Sequence, residues 1–162
     1  MKIKTKKFTK EISRIFSEYL GFDNVKFVCD TIWYRYGDEV HYCPFLDEAN
    51  DMEYKHFLFE EFNMKVENMF FFSFMHELGH VVTLDEFRAN EPKKYKKSRK
   101  HEKKIEKRGQ VERYEYFKLP HEYMATKWAV DTIKNNPETI VKMATELNNA
   151  LNEFRLRNQK KI

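Results

Sequence analysis

Residues 66–84 are apolar nearly all round a helix, and this stretch constrains the fold more than any other. Its large apolar residues occupy every helical face: Phe70, Phe71, Phe72, Phe74 and Met75. A helix with this pattern is buried on several sides. The same stretch contains His76, Glu77 and His80, and burying polar groups that have no partner costs free energy. The segment therefore predicts a buried helix whose polar residues have a specific role.

The three polar residues have H-E-x-x-H spacing. Positions four apart lie on one face of an α-helix, about one turn along it, so His76 and His80 can bind the same zinc ion. Glu77 lies one step off that face, where its carboxylate can accept a proton from a zinc-activated water. The motif predicts a zinc-dependent hydrolase with Glu77 as the general base. The alternative is a pair of histidines that belong to the core alone.

A catalytic zinc ion takes three protein ligands, so a third must follow downstream. Glu86 lies six residues beyond His80, where some zinc peptidases place a third histidine ligand. Those proteins need a glycine for the tight turn before that ligand, and Thr83 occupies its position here. Glu102 has a spacing used by some zinc peptidases with a glutamate ligand. However, Glu102 and His101 lie inside a strongly basic segment. We therefore expect the third ligand further along the chain.

Glu122 is the preferred third ligand. It opens a helix after Pro120, and Ala125 and Ala129 follow on its own helical face. Small residues at these positions allow the helix to approach residues 66–84 closely, which brings the carboxylate within about 2 Å of a zinc ion. The alternative is an ordinary first-turn acid favoured by the helix dipole.

One helix-forming stretch downstream of H-E-x-x-H carries an acid, an aromatic residue and two alanines: Glu122, Ala125, Trp128 and Ala129. This combination resembles the ImmA/IrrE-type metallopeptidases, in which H-E-x-x-H precedes a helix reading roughly E-x-E-A-N-x-F-A. Glu122 falls on the ligand position of that pattern. Met124 replaces the second acid, and Thr126 replaces the usual asparagine.

The resemblance implies an α+β, zincin-like fold that is mostly helical, with a small sheet packed beside the metal helix. It also implies a peptidase that cleaves a protein or peptide substrate with one zinc ion as cofactor. Members of this family are often encoded by phages or mobile elements. We therefore expect residues 1–162 to form a single zincin-like metallopeptidase domain, with a basic insertion at about 93–108.

Peptide hydrolysis also needs a group that stabilises the oxyanion of the transition state. The candidates for this role, or for substrate contacts, are His121, Tyr123, Tyr114 and Tyr116. The sequence does not decide among them.

Helical periodicity predicts most of the remaining elements. Apolar residues three and four apart indicate a first helix over residues 8–20, which Gly21 ends. We also expect a short helix within 50–63 and helices over 120–133 and 138–157, separated at Asn135-Asn136-Pro137. Residues 111–119 are expected to be extended.

The small sheet is predicted near residues 25–46. This stretch is rich in β-branched and aromatic residues and is interrupted at Gly37-Asp38, which is typical of an antiparallel hairpin. In such a hairpin Cys29 lies opposite Leu46, away from Cys43. Two cysteines are too few for a disulfide framework, so we expect reduced thiols and a cytoplasmic protein, in a bacterial host if a phage encodes it.

Membrane and export signals are not expected. No stretch of about 18 uncharged apolar residues occurs, so we expect no membrane partner. The basic N-terminus is not followed by the apolar block of a signal peptide. The sequence does not indicate the oligomeric state.

Residues 93–108 concentrate the positive charge, with ten Lys/Arg and two Glu, whereas the whole chain has a net charge of +4. Nucleic acid is a candidate partner, through Lys96, Lys97, Arg99, Lys100, Lys103 and Lys104. An alternative function is therefore a zinc-containing module that binds nucleic acid or protein, or a peptidase that acts on DNA-bound proteins. The simpler interpretation is a solvated loop or an exposed helix that its charge keeps soluble.

Overall fold

The computed structural model describes residues 5–45, 52–109 and 113–159. Seven helices and three strands occupy most of these residues, which confirms the prediction of a mostly helical protein with a small sheet. The chain divides into two compact units, one formed by Met1–Phe45 with Ile133–Ile162 and the other by Leu46–Thr132. Within the described ranges, no helix is long and apolar enough to cross a membrane.

The first unit is built on two helices, α1 (Lys6–Leu20) and α7 (Pro137–Gln159). Gly21 ends α1 in the left-handed conformation, with φ of 73°, as the sequence predicts. The two helices meet at Phe8 and Phe154, whose stacked rings are 4.7 Å apart. The apolar residues that recur at helical spacing along α7 are all buried: Ile140, Met143, Leu147, Leu151 and Phe154.

The sheet of the first unit has three strands, β1 (Lys26–Cys29), β2 (Tyr34–Tyr36) and β3 (Glu39–Tyr42), in the order β1-β3-β2. The predicted hairpin is confirmed in β2 and β3, which are antiparallel. The wholly antiparallel sheet predicted for residues 25–46 is wrong, because β1 pairs with β3 in parallel and the sheet is mixed.

Asp30 provides the physical reason for the mixed sheet. The predicted first strand is broken there, since the Asp30 carboxylate accepts a hydrogen bond from the Thr31 backbone N–H at 2.6 Å and another from the Tyr34 hydroxyl at 3.1 Å. The chain therefore turns back before β2, and β3 is inserted beside β1. Cys29 lies opposite Tyr42 in this register. Leu46, its predicted partner, is outside the described residues.

The second unit contains α2 (Met52–Phe62), α3 (Met69–Asn90), α4 (Pro92–Arg108), α5 (Arg113–Phe117) and α6 (Pro120–Asn135). Helix α3 is the predicted buried helix, and the Asn68 side chain caps it by accepting a hydrogen bond from the Phe71 N–H at 3.0 Å. The predicted helix covers residues 66–84, whereas α3 begins three residues later and extends beyond position 84.

Residues 113–117 are helical, so the extended conformation predicted for 111–119 is wrong for these residues. Residues 111 and 112 are not among those that the structure describes. The aromatic residues explain the difference. Tyr114 and Phe117 are three apart, and both rings contact Phe57 of α2. This is helical rather than strand spacing.

The basic segment forms helix α4. Three residues spaced four and three apart make its buried stripe: Ser98, Glu102 and Ile105. All six basic residues proposed as nucleic-acid contacts are exposed. Of the two simpler interpretations of this segment, a solvated loop and an exposed helix, the structure therefore favours the helix, although one face of it is buried.

Candidate metal centre

The candidate metal centre begins on α3, where His76 and His80 point to the same side of the helix. Their Nε2 atoms are 3.1 Å apart. This is the one-turn spacing that the H-E-x-x-H motif predicts. Both rings are largely shielded, with side-chain exposures of 12% for His76 and 10% for His80.

Glu122, in the first turn of α6, brings its carboxylate to both imidazoles. Its Oε2 atom is 3.0 Å from Nε2 of His76, and its Oε1 atom is 3.4 Å from Nε2 of His80. Three donors of a tetrahedral zinc ion with bonds of about 2.0–2.2 Å stand about 3.3 Å from one another. The separations between these three side chains match that value, and the group can hold a metal ion.

A close crossing of α3 and α6 places the carboxylate there. Gly79 lies against the backbone of Ala125, and both residues are buried. Ala129, one turn further along α6, is also fully buried. Of the two alanines that predict a close approach, Ala125 therefore lies at the crossing itself.

Two hydroxyl groups fix the ring of His76 from the side away from Glu122. Nδ1 of His76 is 2.9 Å from the Tyr54 hydroxyl and 3.1 Å from the Thr126 hydroxyl, and these two oxygens are 2.7 Å apart. With a metal ion bound, a proton on Nδ1 would be donated to these oxygens and the Nε2 lone pair would face the ion, as a metal ligand requires. The sequence did not indicate Tyr54 as part of the site.

The electrostatics of the site keep Glu122 ionised. Burial raises the pKa of Glu122, but hydrogen bonds from His121, His76 and His80 outweigh it and hold that pKa well below its usual value. For His76, burial lowers the pKa, but the hydrogen bond and charge of Glu122 outweigh it, and the net shift is upward. The carboxylate is thus in the form that a metal ligand needs.

Glu77 lies on α3 between the two histidines and is buried, with 8% of its surface exposed. Its negative charge contributes to the raised pKa of the His76 imidazole and to the raised pKa of the Tyr116 phenol. The predicted general base therefore lies beside the three candidate ligands and is not one of them.

Of the four candidates for oxyanion or substrate contacts, two lie beside Glu122 and two lie against α2. The Tyr116 hydroxyl donates to Oε1 of Glu122 at 3.2 Å, and Nε2 of His121 is 3.4 Å from the same oxygen. Burial raises the pKa of Tyr116, and the charges of Glu122 and Glu102 add to it, so this phenol stays protonated. Tyr114 and Tyr123 contact α2 instead, Tyr114 through Glu60 and Phe57, and Tyr123 through Phe62.

A second group of metal-binding residue types adjoins the first: Glu102, His121 and Glu122. Nε2 of His121 is 3.4 Å from Oε1 of Glu102, and Nδ1 of His121 is 2.7 Å from the Ser98 hydroxyl. Burial lowers the pKa of His121, but hydrogen bonds to Glu102 and Glu122 outweigh it and raise the pKa to about 9.

The inward position of Glu102 was not foreseen, because it lies among lysines in the sequence. A signal was nevertheless present. Three non-basic residues of the segment recur with helical spacing and are all buried: Ser98, Glu102 and Ile105. Such a stripe in a basic helix indicates the buried face.

The comparisons with known proteins do not extend this description. No family model matches the chain, and no curated protein or solved structure is significantly similar to it. The function must therefore be inferred from the geometry and chemistry of the site.

Proposed function

We propose that the chain is a zinc-dependent hydrolase, and specifically a peptidase of the ImmA/IrrE type with a zincin-like fold. In this proposal His76, His80 and Glu122 hold the zinc ion and Glu77 is the general base. The observation that carries the proposal is the arrangement of the three ligand side chains, whose donor atoms stand 3.0–3.4 Å apart in a largely buried site.

Each residue has a defined task in this proposal. A zinc ion at the site supplies a Lewis acid that lowers the pKa of water and polarises a carbonyl group. The Glu77 carboxylate accepts the proton of the attacking water and passes it to the leaving nitrogen. Tyr54 and Thr126 keep the His76 ring in orientation, and burial of the ligands excludes competing water.

Metal analysis of the chain, purified without a chelator or a histidine tag, tests the first half of the proposal. We expect one zinc ion per chain, and none in His80→Ala. A wild-type chain without bound metal after exposure to zinc would contradict the proposal.

Glu77→Gln tests the second half. Glutamine has nearly the same shape but cannot accept a proton, so we expect the variant to bind zinc as the wild type does and to cleave nothing. The measurement is cleavage of a proteome-derived peptide library, followed by mass spectrometry. Equal cleavage by Glu77→Gln and the wild type would exclude the proposed mechanism.

A second candidate function, binding of nucleic acid, is favoured by one observation on α4. The helix buries its Ser98–Glu102–Ile105 stripe while its lysines remain exposed, so the positive charges form an outward surface. Such a surface can act alone or can bring a peptidase to proteins on DNA.

Duplex DNA of random sequence at about 50 mM salt tests this function, because an electrostatic contact is strongest at low salt. We expect binding that weakens steeply with added salt and is lost when the five α4 lysines among the candidates are changed to glutamine. Five lysines from other elements provide a charge-matched control: Lys6, Lys7, Lys10, Lys127 and Lys142. Equal loss in both variants, or no binding at all, would remove the candidate function.

A further inference from the structure

We infer that Glu102 and His121 are positioning residues for the ligand Glu122, so that the basic helix α4 is a structural part of the metal centre. This inference rests on the proposed function, since it assigns a role around the same site. It gives the buried face of α4 a task that is separate from any partner of its exposed face.

His121 joins α4 to the metal ligand. Its ring is buried, with 2% of the side chain exposed; Nδ1 is 2.7 Å from the Ser98 hydroxyl, and Nε2 is 3.4 Å from one oxygen each of Glu102 and Glu122. Nε2 therefore lies between the two carboxylates, and a proton on this nitrogen would be donated to them, since an ionised carboxylate only accepts hydrogen bonds. The ring is therefore held on both edges.

The two oxygens of Glu122 have different surroundings. Oε1 receives the Tyr116 hydroxyl at 3.2 Å and lies 3.4 Å from Nε2 of both His121 and His80, whereas Oε2 lies 3.0 Å from Nε2 of His76. Tyr116 and His121 on Oε1 fix the rotation of the carboxylate and so direct Oε2 towards His76. Hydrogen-bonded partners of this kind set the orientation of a metal ligand.

Glu102 is in turn fixed by Arg99. The Arg99 guanidinium is 2.5 Å from Oε2 of Glu102, and Glu102 itself is 6% exposed. One side of Glu102 thus meets a cation and the other side meets His121. The sequence of contacts from Arg99 through Glu102 and His121 ends at Glu122.

A second metal ion in the Glu102–His121–Glu122 group is the competing interpretation. Arg99 argues against it, because its Nη1 atom is 2.5 Å from Glu102 and 3.5 Å from Nε2 of His121. A positive charge already lies beside these two side chains, and a divalent ion next to a guanidinium would be repelled. The geometry therefore favours a support for one metal ion over a pair of ions.

Zinc affinity of the full chain, measured by competition with a chromogenic chelator, tests the inference without any substrate. Glu102→Gln and His121→Leu remove the two supports. His121→Gln is the conservative variant, because its amide N–H can still donate to the carboxylates from nearly the same position. Glu106→Gln, the same substitution one turn along α4 at an exposed residue, is the matched control.

We expect Glu102→Gln and His121→Leu to weaken zinc binding about 10- to 100-fold, with His121→Gln recovering much of the loss and Glu106→Gln unchanged. Cobalt in place of zinc should show altered visible absorption in the two weakened variants, because the ligand geometry changes. A role in stability alone would lower the melting temperature of the metal-free chain and leave this spectrum as it is. If His121→Leu does not fold, Ser98→Ala replaces it, with an expected loss of a few-fold.

The outcomes separate the two proposals. A wild-type chain that binds no zinc overturns both. A wild-type chain that binds one zinc ion, with equal affinity and cobalt spectrum in every variant, overturns only the positioning role. Two zinc ions in the wild type and one in Glu102→Gln would overturn it as well, by assigning the group to a second metal ion.

Discussion

Gly79 of α3 lies so close to Ala125 of α6 that a Cβ atom at position 79 would stand 2.3 Å from the Ala125 carbonyl oxygen. The same Cβ would be 2.9 Å from the carbonyl carbon and from Cα of Ala125. Separations of this size do not occur between such atoms, so any side chain at position 79 must push the helices apart. Because Glu122 is three residues before Ala125, the crossing sets the distance between the carboxylate and the two imidazoles.

Gly79→Ala is therefore expected to destabilise the chain, although alanine is the better helix former by about 1 kcal/mol. Displacing backbone atoms in a packed interior costs about 1–3 kcal/mol, which outweighs the gain in helix propensity. Zinc affinity should fall as well, since Glu122 moves with α6. Urea unfolding of the metal-free chain and zinc competition measure the two effects.

The double variant Gly79→Ala with Ala125→Gly sharpens this prediction. The atoms that clash belong to the backbone of residue 125, so removal of the Ala125 methyl group should not restore stability. Recovery of the wild-type free energy of unfolding in the double variant would show that the Cβ of Ala125 makes the contact instead. A Gly79→Ala chain more stable than the wild type would contradict the crossing itself.

Removal of the metal should lower the stability of the folded chain. A ligand that binds only the folded state stabilises it by about 2.7 kcal/mol when its free concentration is about 100 times its Kd. We expect a chelator to lower the melting temperature of the wild type and added zinc to restore it. His80→Ala, which lacks one ligand, should melt at the same temperature with and without zinc, and a zinc-dependent shift in that variant would point to a different ligand set.

The sequence predicts the helices in which apolar or small residues recur at clear helical spacing. The apolar stretch around Phe72 and the two alanines of α6 led to a buried helix and a close second helix, because burial and small size are properties of single residues. The order of the three strands was not predictable in this way. It depends on a turn at Asp30 that only the side-chain contacts with Thr31 and Tyr34 make visible.

For the site, the motif identified His76 and His80, and the fit of Glu122 followed from a helix that begins at Pro120. The supporting residues were harder to find. Tyr54 precedes His76 by 22 positions with no spacing rule that connects them. The lysines around Glu102 in the sequence argue against a place for it in the site, whereas its spatial neighbours are His121 and Arg99. Contacts between distant segments are set by packing, which a single sequence does not display.

The hydroxyl pair beside His76 gives a further prediction. Tyr54→Phe and Thr126→Val each remove one hydroxyl group while keeping the shape, and the remaining hydroxyl still reaches Nδ1 at 2.9 or 3.1 Å. We expect each single variant to weaken zinc binding only a few-fold, and the double variant to weaken it about 10-fold or more, because Nδ1 then has neither hydroxyl as a partner. Competition with a chelator measures the effect.

The control for this pair is Tyr95→Phe, which removes a phenol hydroxyl from α4, where the ring packs edge-on against Phe87. Its zinc affinity should equal that of the wild type. If the Tyr54 and Thr126 variants together also bind zinc as the wild type does, the hydroxyl pair does not orient His76.

The lowered pKa of Glu146 in α7 leads to a prediction of how the stability of the chain depends on pH. Hydrogen bonds from Tyr19 and from Arg14, the latter at 2.6 Å, hold the pKa of Glu146 below its usual value. A lowered pKa in the folded state means that the unfolded chain binds the proton more readily, so these contacts contribute stability above the unfolded pKa of about 4.3. That contribution is lost as the pH falls from about 4.3 through the lower folded value.

Glu146→Gln should therefore reduce the loss of stability on acidification, while it lowers stability at pH 7, where the carboxylate is ionised in the wild type. Urea midpoints measured from pH 7 to pH 3 give both quantities. Tyr19→Phe removes one of the two donors and should produce a smaller change in the same direction, because Arg14 still contacts the carboxylate. A Glu146→Gln chain with the same midpoint at pH 7 and the same slope below pH 5 as the wild type would mean that the contacts with Tyr19 and Arg14 do not lower the pKa of this carboxyl group in solution.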